Sequence, residues 1–186
     1  NHEFDYGEDT LLSFLQGLDF PAVAANIDFT AFPELDALVN ATTILEVGGQ
    51  QVGVVGLTTP ETATISNASP DLVFLTDLAA VAQEAIDSLT AQGINKIILL
   101  THTGITEDMV LAPQLTGVDV YIGGHSHTLL SNAYSAGVYE FPIAMEGADG
   151  NPILYAQAGE KNIYLGRLNV VFDADGVLTS WNGDTI

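Results

Sequence analysis

The chain has 186 residues, 47% of them hydrophobic, one domain's worth of sequence with enough apolar material for a core. It carries 24 Asp and Glu against 3 Lys and Arg, a formal charge of −21, which disfavours nucleic acid and anionic membranes as partners. Cysteine is absent, so disulfides, thiolate metal sites and cysteine nucleophiles are excluded, and any metal must be held by nitrogen and oxygen. No apolar run approaches the about 20 residues that cross a bilayer. The acidic residues are scattered between apolar stretches, the pattern of a solvated folded surface, and one that suits a salty medium.

No repeat, low-complexity tract or linker interrupts the sequence, so residues 1–186 read as one continuous domain. Asp9 to Leu18 reads as a short helix, N-capped by Asp9 or Thr10 and closed near Gly17. Phe20 to Ile27 (FPAVAANI) reads as a buried strand. Thr43 to Thr59 reads as a hairpin turning at Gly48-Gly49. Thr76 to Gln92 is the clearest helix: Thr76 or Asp77 can cap it, Leu78, Val81, Ala82, Ala85, Ile86 and Leu89 form its apolar stripe, and Gly93 ends it. Lys96 to Thr101 (KIILLT) is an apolar strand, followed by a short helix from about Thr106 to Ala112 and a second strand, Val118 to Ile122. This alternation suggests βαβ units with both sheet faces covered. After about Gly137 the pattern alternates more: Ile153–Ala158, Ile163–Phe172 and Val177–Trp181 read as strands of a second, more antiparallel sheet, with Asp173–Gly176 as a hairpin turn. The class is mixed α/β.

The chain has four histidines: His2, His102, His125 and His127. His102 immediately follows the KIILLT strand, and His125 and His127 follow the next strand across Gly123-Gly124. Functional groups collect beyond the carboxyl ends of strands in open α/β sheets, and neutral imidazole is the commonest metal ligand. Any one of them could be a plain polar loop residue; three after two neighbouring strands point to a shared cavity. His2 lies three residues before Asp5, a carboxylate able to fix its tautomer for acid catalysis, or merely to pair with it on the surface. Trp181 and Arg167, both on hairpin strands, read as packing residues.

NHEFDYG, ILLTHTG and VDVYIGGHSHT resemble the last three motifs of the calcineurin-like metallophosphoesterases, and their wording is most similar to the 5′-nucleotidase branch. The segments FPAVAANID, VGVVGLTTPET and ILYAQAGEKNIYLGRL are similar to that branch as well. The resemblance implies a four-layer α/β sandwich of two sheets, here incomplete at its N-terminus. It implies Asn1, His102 and His125 as ligands of one divalent ion and His127 as a ligand of another, with Zn, Mn or Co as suitable metals. It makes His2 a contact to the phosphate or leaving oxygen, oriented by Asp5. The implied chemistry is in-line attack of metal-activated water on the phosphorus of a nucleotide or other phosphate monoester. A periplasmic or extracellular location goes with the branch.

The family pattern places two further motifs ahead of NHEFDYG: an Asp-x-His on the first strand and a Gly-Asp on a later one. Neither precedes Asn1 here. The 186 residues alone are therefore expected to hold at most one ion, weakly, and to be weakly active or inactive. They are also expected to dimerise or exchange strands through an exposed edge. A thiosulfate-ester hydrolase of the same superfamily and a non-catalytic metal-binding or structural module are the alternatives, and NHEFDYG favours the nucleotidase reading over the former.

Overall fold

The computed structural model describes all of residues 1–186. A single 3-10 turn over His2–Phe4 leads into α1 (Glu8–Gln16), which stops at Gly17. The predicted hairpin forms from β1 (Thr42–Val47) and β2 (Gln50–Thr58). Its turn is Gly48-Gly49 at φ 59° and 76°, left-handed values that glycine adopts without strain. Helix α2 (Leu78–Ala91) begins at Asp77, whose carboxylate accepts the Ala80 N–H at 3.1 Å, and it buries Leu78, Ala82, Ala85, Ile86 and Leu89. Then come β3 (Ile97–His102), α3 (Ile105–Leu111) and β4 (Val120–Ile122). The chain continues through β5 (Ile143–Glu146) and β6 (Pro152–Ala156), and ends in β7 (Gly166–Phe172) and β8 (Leu178–Thr185).

One six-stranded sheet, ordered β1-β2-β3-β4-β6-β5, organises the molecule. Its four inner strands run parallel and its two edge strands antiparallel. A twenty-residue core joins this sheet to α2 and α3, and includes Val55, Leu89, Leu99, Tyr121, Leu130 and Tyr155. Each such side chain contributes about 1.5–3 kcal/mol by leaving water. A smaller cluster holds the N-terminal segment: Phe4, Leu11, Ile27, Phe29, Leu35, Leu72 and Phe74, with Phe4 edge-on to Phe74 at 5.6 Å. The two units meet where Ala22–Val23 crosses β2. A Cβ on Gly56 would strike the Val23 carbonyl, and the Ala25 N–H donates to the Gly56 oxygen at 2.8 Å.

Three expectations need correction. FPAVAANI is not one strand: Ala22–Val23 pairs with Val39–Asn40, and Ile27–Asp28 pairs with Val73–Phe74. The break is Asn26, fully buried, whose amide donates to the Thr58 carbonyl (2.8 Å) and accepts the Thr58 N–H (2.9 Å). Pro152–Ala156 does not join a second sheet; it lies parallel to β4, because Ile153 to Ala156 is apolar and buried throughout. The strand expected from Ile163 starts at Gly166, after Lys161 and Asn162 adopt left-handed φ of 59° and 55°. The second sheet is thus a two-stranded antiparallel ribbon, β7–β8. In that ribbon Trp181 faces Val170 and Arg167 faces Asp184, and Trp181 is 38% exposed.

Candidate active site

His102 is the last residue of β3, in register with Thr58 at the end of β2. Beside it β4 ends at Ile122, and Gly123-Gly124 carries the chain over the sheet edge. A Cβ at Gly123 would collide with the Tyr155 hydroxyl, and one at Gly124 would lie 2.8 Å from His102 Nδ1. With neither present, the His125 and His102 rings come to 5.3 Å between centroids. His125 and His127 themselves sit at φ 67° and 55°, a conformation unfavourable for side-chain-bearing residues and held by neighbours. Ser126 Oγ accepts the Ile105 N–H at 3.1 Å and lies 3.0 Å from Thr128 Oγ1. Buried Gln157 has its amide 2.8 Å from Tyr155 Oη and 3.1 Å from Ser126 Oγ. With its oxygen turned to the loop, that amide accepts the His127 and Thr128 N–H groups at 3.1 and 3.0 Å.

The N-terminal turn faces this loop across a cleft of about 630 Å³ lined by Asn1, His2, His102, His125 and His127, with Leu57 and Leu100 among its apolar walls. Buried Phe4 anchors the turn. The amide nitrogen of Asn1 lies 3.5 Å from His125 Nδ1, while its oxygen accepts the His2 N–H at 2.9 Å. His2 Nδ1 is 2.9 Å from Asp5 Oδ2, as the sequence suggested. A carboxylate only accepts, so Nδ1 carries a proton and Nε2 is the ring nitrogen left free to face a substrate. Asn1, His2, His102, His125 and His127 thus all line one cleft, with Asp5 behind His2.

No three of the His, Asp and Glu side chains gather as one ligand set; what converges is two imidazoles and an amide. Burial pushes His102 down to about 4, with His125 adding to the effect, so its ring is neutral near pH 7. Neutral nitrogen and oxygen donors fit a zinc-like ion as part of a shell, with the Asn1 oxygen becoming available only if its amide turns. His127 stands apart, its Nδ1 3.0 Å from Glu160 Oε2. The one Gly-Asp pair, Gly183-Asp184, is structural: Asp184 accepts from Ser131 Oγ and the Asn132 and Thr185 N–H groups.

Sequence reasoning missed the supports. Asp108, fully buried, accepts Thr101 Oγ1 at 3.0 Å and Thr103 Oγ1 at 2.5 Å, gripping both neighbours of His102. Desolvation pushes its carboxyl up to about 6. The available signal was its place between Ile105, Met109 and Ala112 on an apolar helix face. Gln157 and Glu160 carry no such signal, because only the fold returns them to the histidine loop.

Known proteins resemble the chain in sequence and in fold. No protein-family model matches the chain. It is 40% identical to a 5′-nucleotidase of Diplobatis ommata over 96% of its length, and 38% identical to the snake venom 5′-nucleotidase of Naja atra over all of it. The 5′-nucleotidase precursor of Thermus thermophilus superposes on the whole chain with a TM-score of 0.95 at 42% identity. Over nearly its whole length the chain is similar in sequence and fold to 5′-nucleotidases. It spans about a third of these 5′-nucleotidases: 32% and 36% of the two curated relatives and 37% of the Thermus chain. Sulfate thiohydrolase SoxB of Thermus thermophilus (TM-score 0.78, 21% identity, all of this chain, 31% of that one) shares the 5′-nucleotidase fold alone.

Proposed function

We propose that these residues form part of the active site of a metal-dependent phosphoesterase that hydrolyses phosphate monoesters, nucleotides foremost. The observation that carries the reading is the meeting of Asn1, His102, His125 and His127 at one cleft with the His2–Asp5 pair beside them. Asn1, His102 and His125 would hold one divalent ion and His127 would belong to a second, with Zn, Mn or Co suited to such donors. Bound ions would supply the positive charge that activates water and offsets charge on the phosphoryl oxygens. His2 in its imidazolium form, with Nδ1–H held by Asp5, would donate from Nε2 to the phosphate or to the departing ester oxygen.

Two imidazoles and an amide without a carboxylate bind an ion more weakly than a complete shell, and further ligands belong on Asp-x-His and Gly-Asp motifs outside these residues. Phosphate release from 5′-AMP with Mn²⁺, Co²⁺ or Zn²⁺ tests this. The chain alone is expected near background, and addition of a segment bearing both motifs is expected to restore chelator-sensitive turnover. Robust turnover by the chain alone would overturn the assigned ligand deficit. Lack of any divalent-ion binding at His102 and His125 would overturn the metal assignment.

Relatives named as nucleotidases at 38–40% identity support this reading over a thiosulfate-ester hydrolase, which shares only the fold. A venom relative and one named a precursor support a periplasmic or extracellular location. Leu100 and Ile122, 46% and 38% exposed on central strands, support self-association of the isolated chain. A monodisperse monomer in light scattering would remove that expectation.

A further inference from the structure

We propose that Glu160 is a positioning residue for His127: its carboxylate holds the imidazole as the Nδ1–H tautomer and leaves the Nε2 lone pair as the atom available in the cleft. Glu160 Oε2 lies 3.0 Å from His127 Nδ1. An ionised carboxylate has no proton to give, so the neutral ring places its own hydrogen on Nδ1.

The contact is built by backbone on both sides. Gly159 donates its N–H to the Thr128 oxygen at 3.0 Å, Leu130 donates to the Gln157 oxygen at 3.2 Å, and Leu129 bridges Ala158 antiparallel. Three of the four residues from 159 to 162 are left-handed: Gly159 at 70°, Lys161 at 59° and Asn162 at 55°. This coil aims the Glu160 side chain back at the histidine loop, and Lys161 Nζ, 3.2 Å from the same carboxylate oxygen, holds it there. His2 and Asp5 use the same device at 2.9 Å across the cleft. An exposed His–Glu pair has little value for stability; its consequence is which ring nitrogen stays free, the usual task of a carboxylate behind a ligating histidine.

The consequence for an ion rests on the reading of His127 as a ligand, whereas the tautomer does not. The test is long-range ¹H–¹⁵N NMR of the imidazole nitrogens at pH 8 without metal. The native chain is expected to show His127 mainly as Nδ1–H. Glu160→Ala is expected to return it mainly to the Nε2–H form that a free histidine prefers. Glu160→Gln, whose amide oxygen still accepts, is expected to keep the native pattern. A native ring already in the Nε2–H form, or one unmoved by Glu160→Ala with the backbone spectrum intact, overturns the proposal. With a segment bearing the Asp-x-His and Gly-Asp motifs also present, added Zn²⁺ is then expected to shift Nε2 of His127. The tautomer change without any Zn²⁺ response sustains Glu160 as the orienting group and overturns His127 as a ligand.

Discussion

The side-chain amide of Asn1 lies 3.5 Å from His125 Nδ1, 124 positions further along the chain. Each residue belongs to a different packing unit: Asn1 to the small cluster around Phe4 and Phe74, His125 to the loop above the main sheet. Their meeting reports the docking of those units, and the site exists only while both cores are formed.

The ligand assignment separates His2 from the other histidines. In Zn²⁺ titration calorimetry, His102→Ala and His125→Ala are each expected to weaken binding about tenfold or more, roughly 1.4 kcal/mol. His2→Ala, which removes a group held by Asp5, is expected to leave affinity within about threefold. Equal losses in all three variants would place His2 in the shell.

The two loop glycines are expected to fail differently. An alanine Cβ at 124 meets the His102 ring at 2.8 Å, and the ring can rotate away. Gly124→Ala is therefore expected to fold and lose metal affinity. At 123 the obstacle is the hydroxyl of buried Tyr155. Gly123→Ala is expected to lose about 1–3 kcal/mol, read as a fall in Tm of 2–4 °C per kcal/mol.

Asp108 organises the strand end that carries His102. Asp108→Ala leaves the Thr101 and Thr103 hydroxyls without their acceptor inside the core, an expected loss of about 2–4 kcal/mol in urea unfolding. Asp108→Asn keeps an acceptor oxygen and is expected to lose less. If both variants matched the native chain, the hydroxyl grip would have no energetic role.

Burial pushes the Asp119 carboxyl up to about 7, with Asp149 adding to it, while its Oδ2 accepts the Ile97 N–H at 2.8 Å. The native state thus binds this proton more tightly than the unfolded chain. Its contribution is fully present below about pH 4 and is lost as pH rises toward and through 7. Asp119→Asn keeps an acceptor without the charge. From pH 5 to pH 8 the native chain is expected to lose about 1 kcal/mol or more relative to this variant, about 2–4 °C in Tm. A gap independent of pH would contradict the assignment.

The local elements were readable because their signals are local. The stripe from Leu78 to Leu89 needs only a helical period, Gly48-Gly49 only a tight turn, and KIILLT only a continuous apolar run. The histidines were found because strand ends are where a parallel sheet exposes its chemistry. FPAVAANI misled because its interruption, Asn26, is satisfied by Thr58, 32 residues away. The partnerships Asp108 with Thr101 and Thr103, Gln157 with the His127 loop, and Glu160 with His127 were equally invisible. Sequence by itself determined which residue types could bind metal and phosphate, excluded cysteine chemistry, and disfavoured nucleic acid and anionic membranes as partners, since charge and donor type belong to single residues. Tertiary structure alone decided which donors meet, which nitrogen of each ring stays free and which supports hold them, since those are distances between residues that only packing brings together.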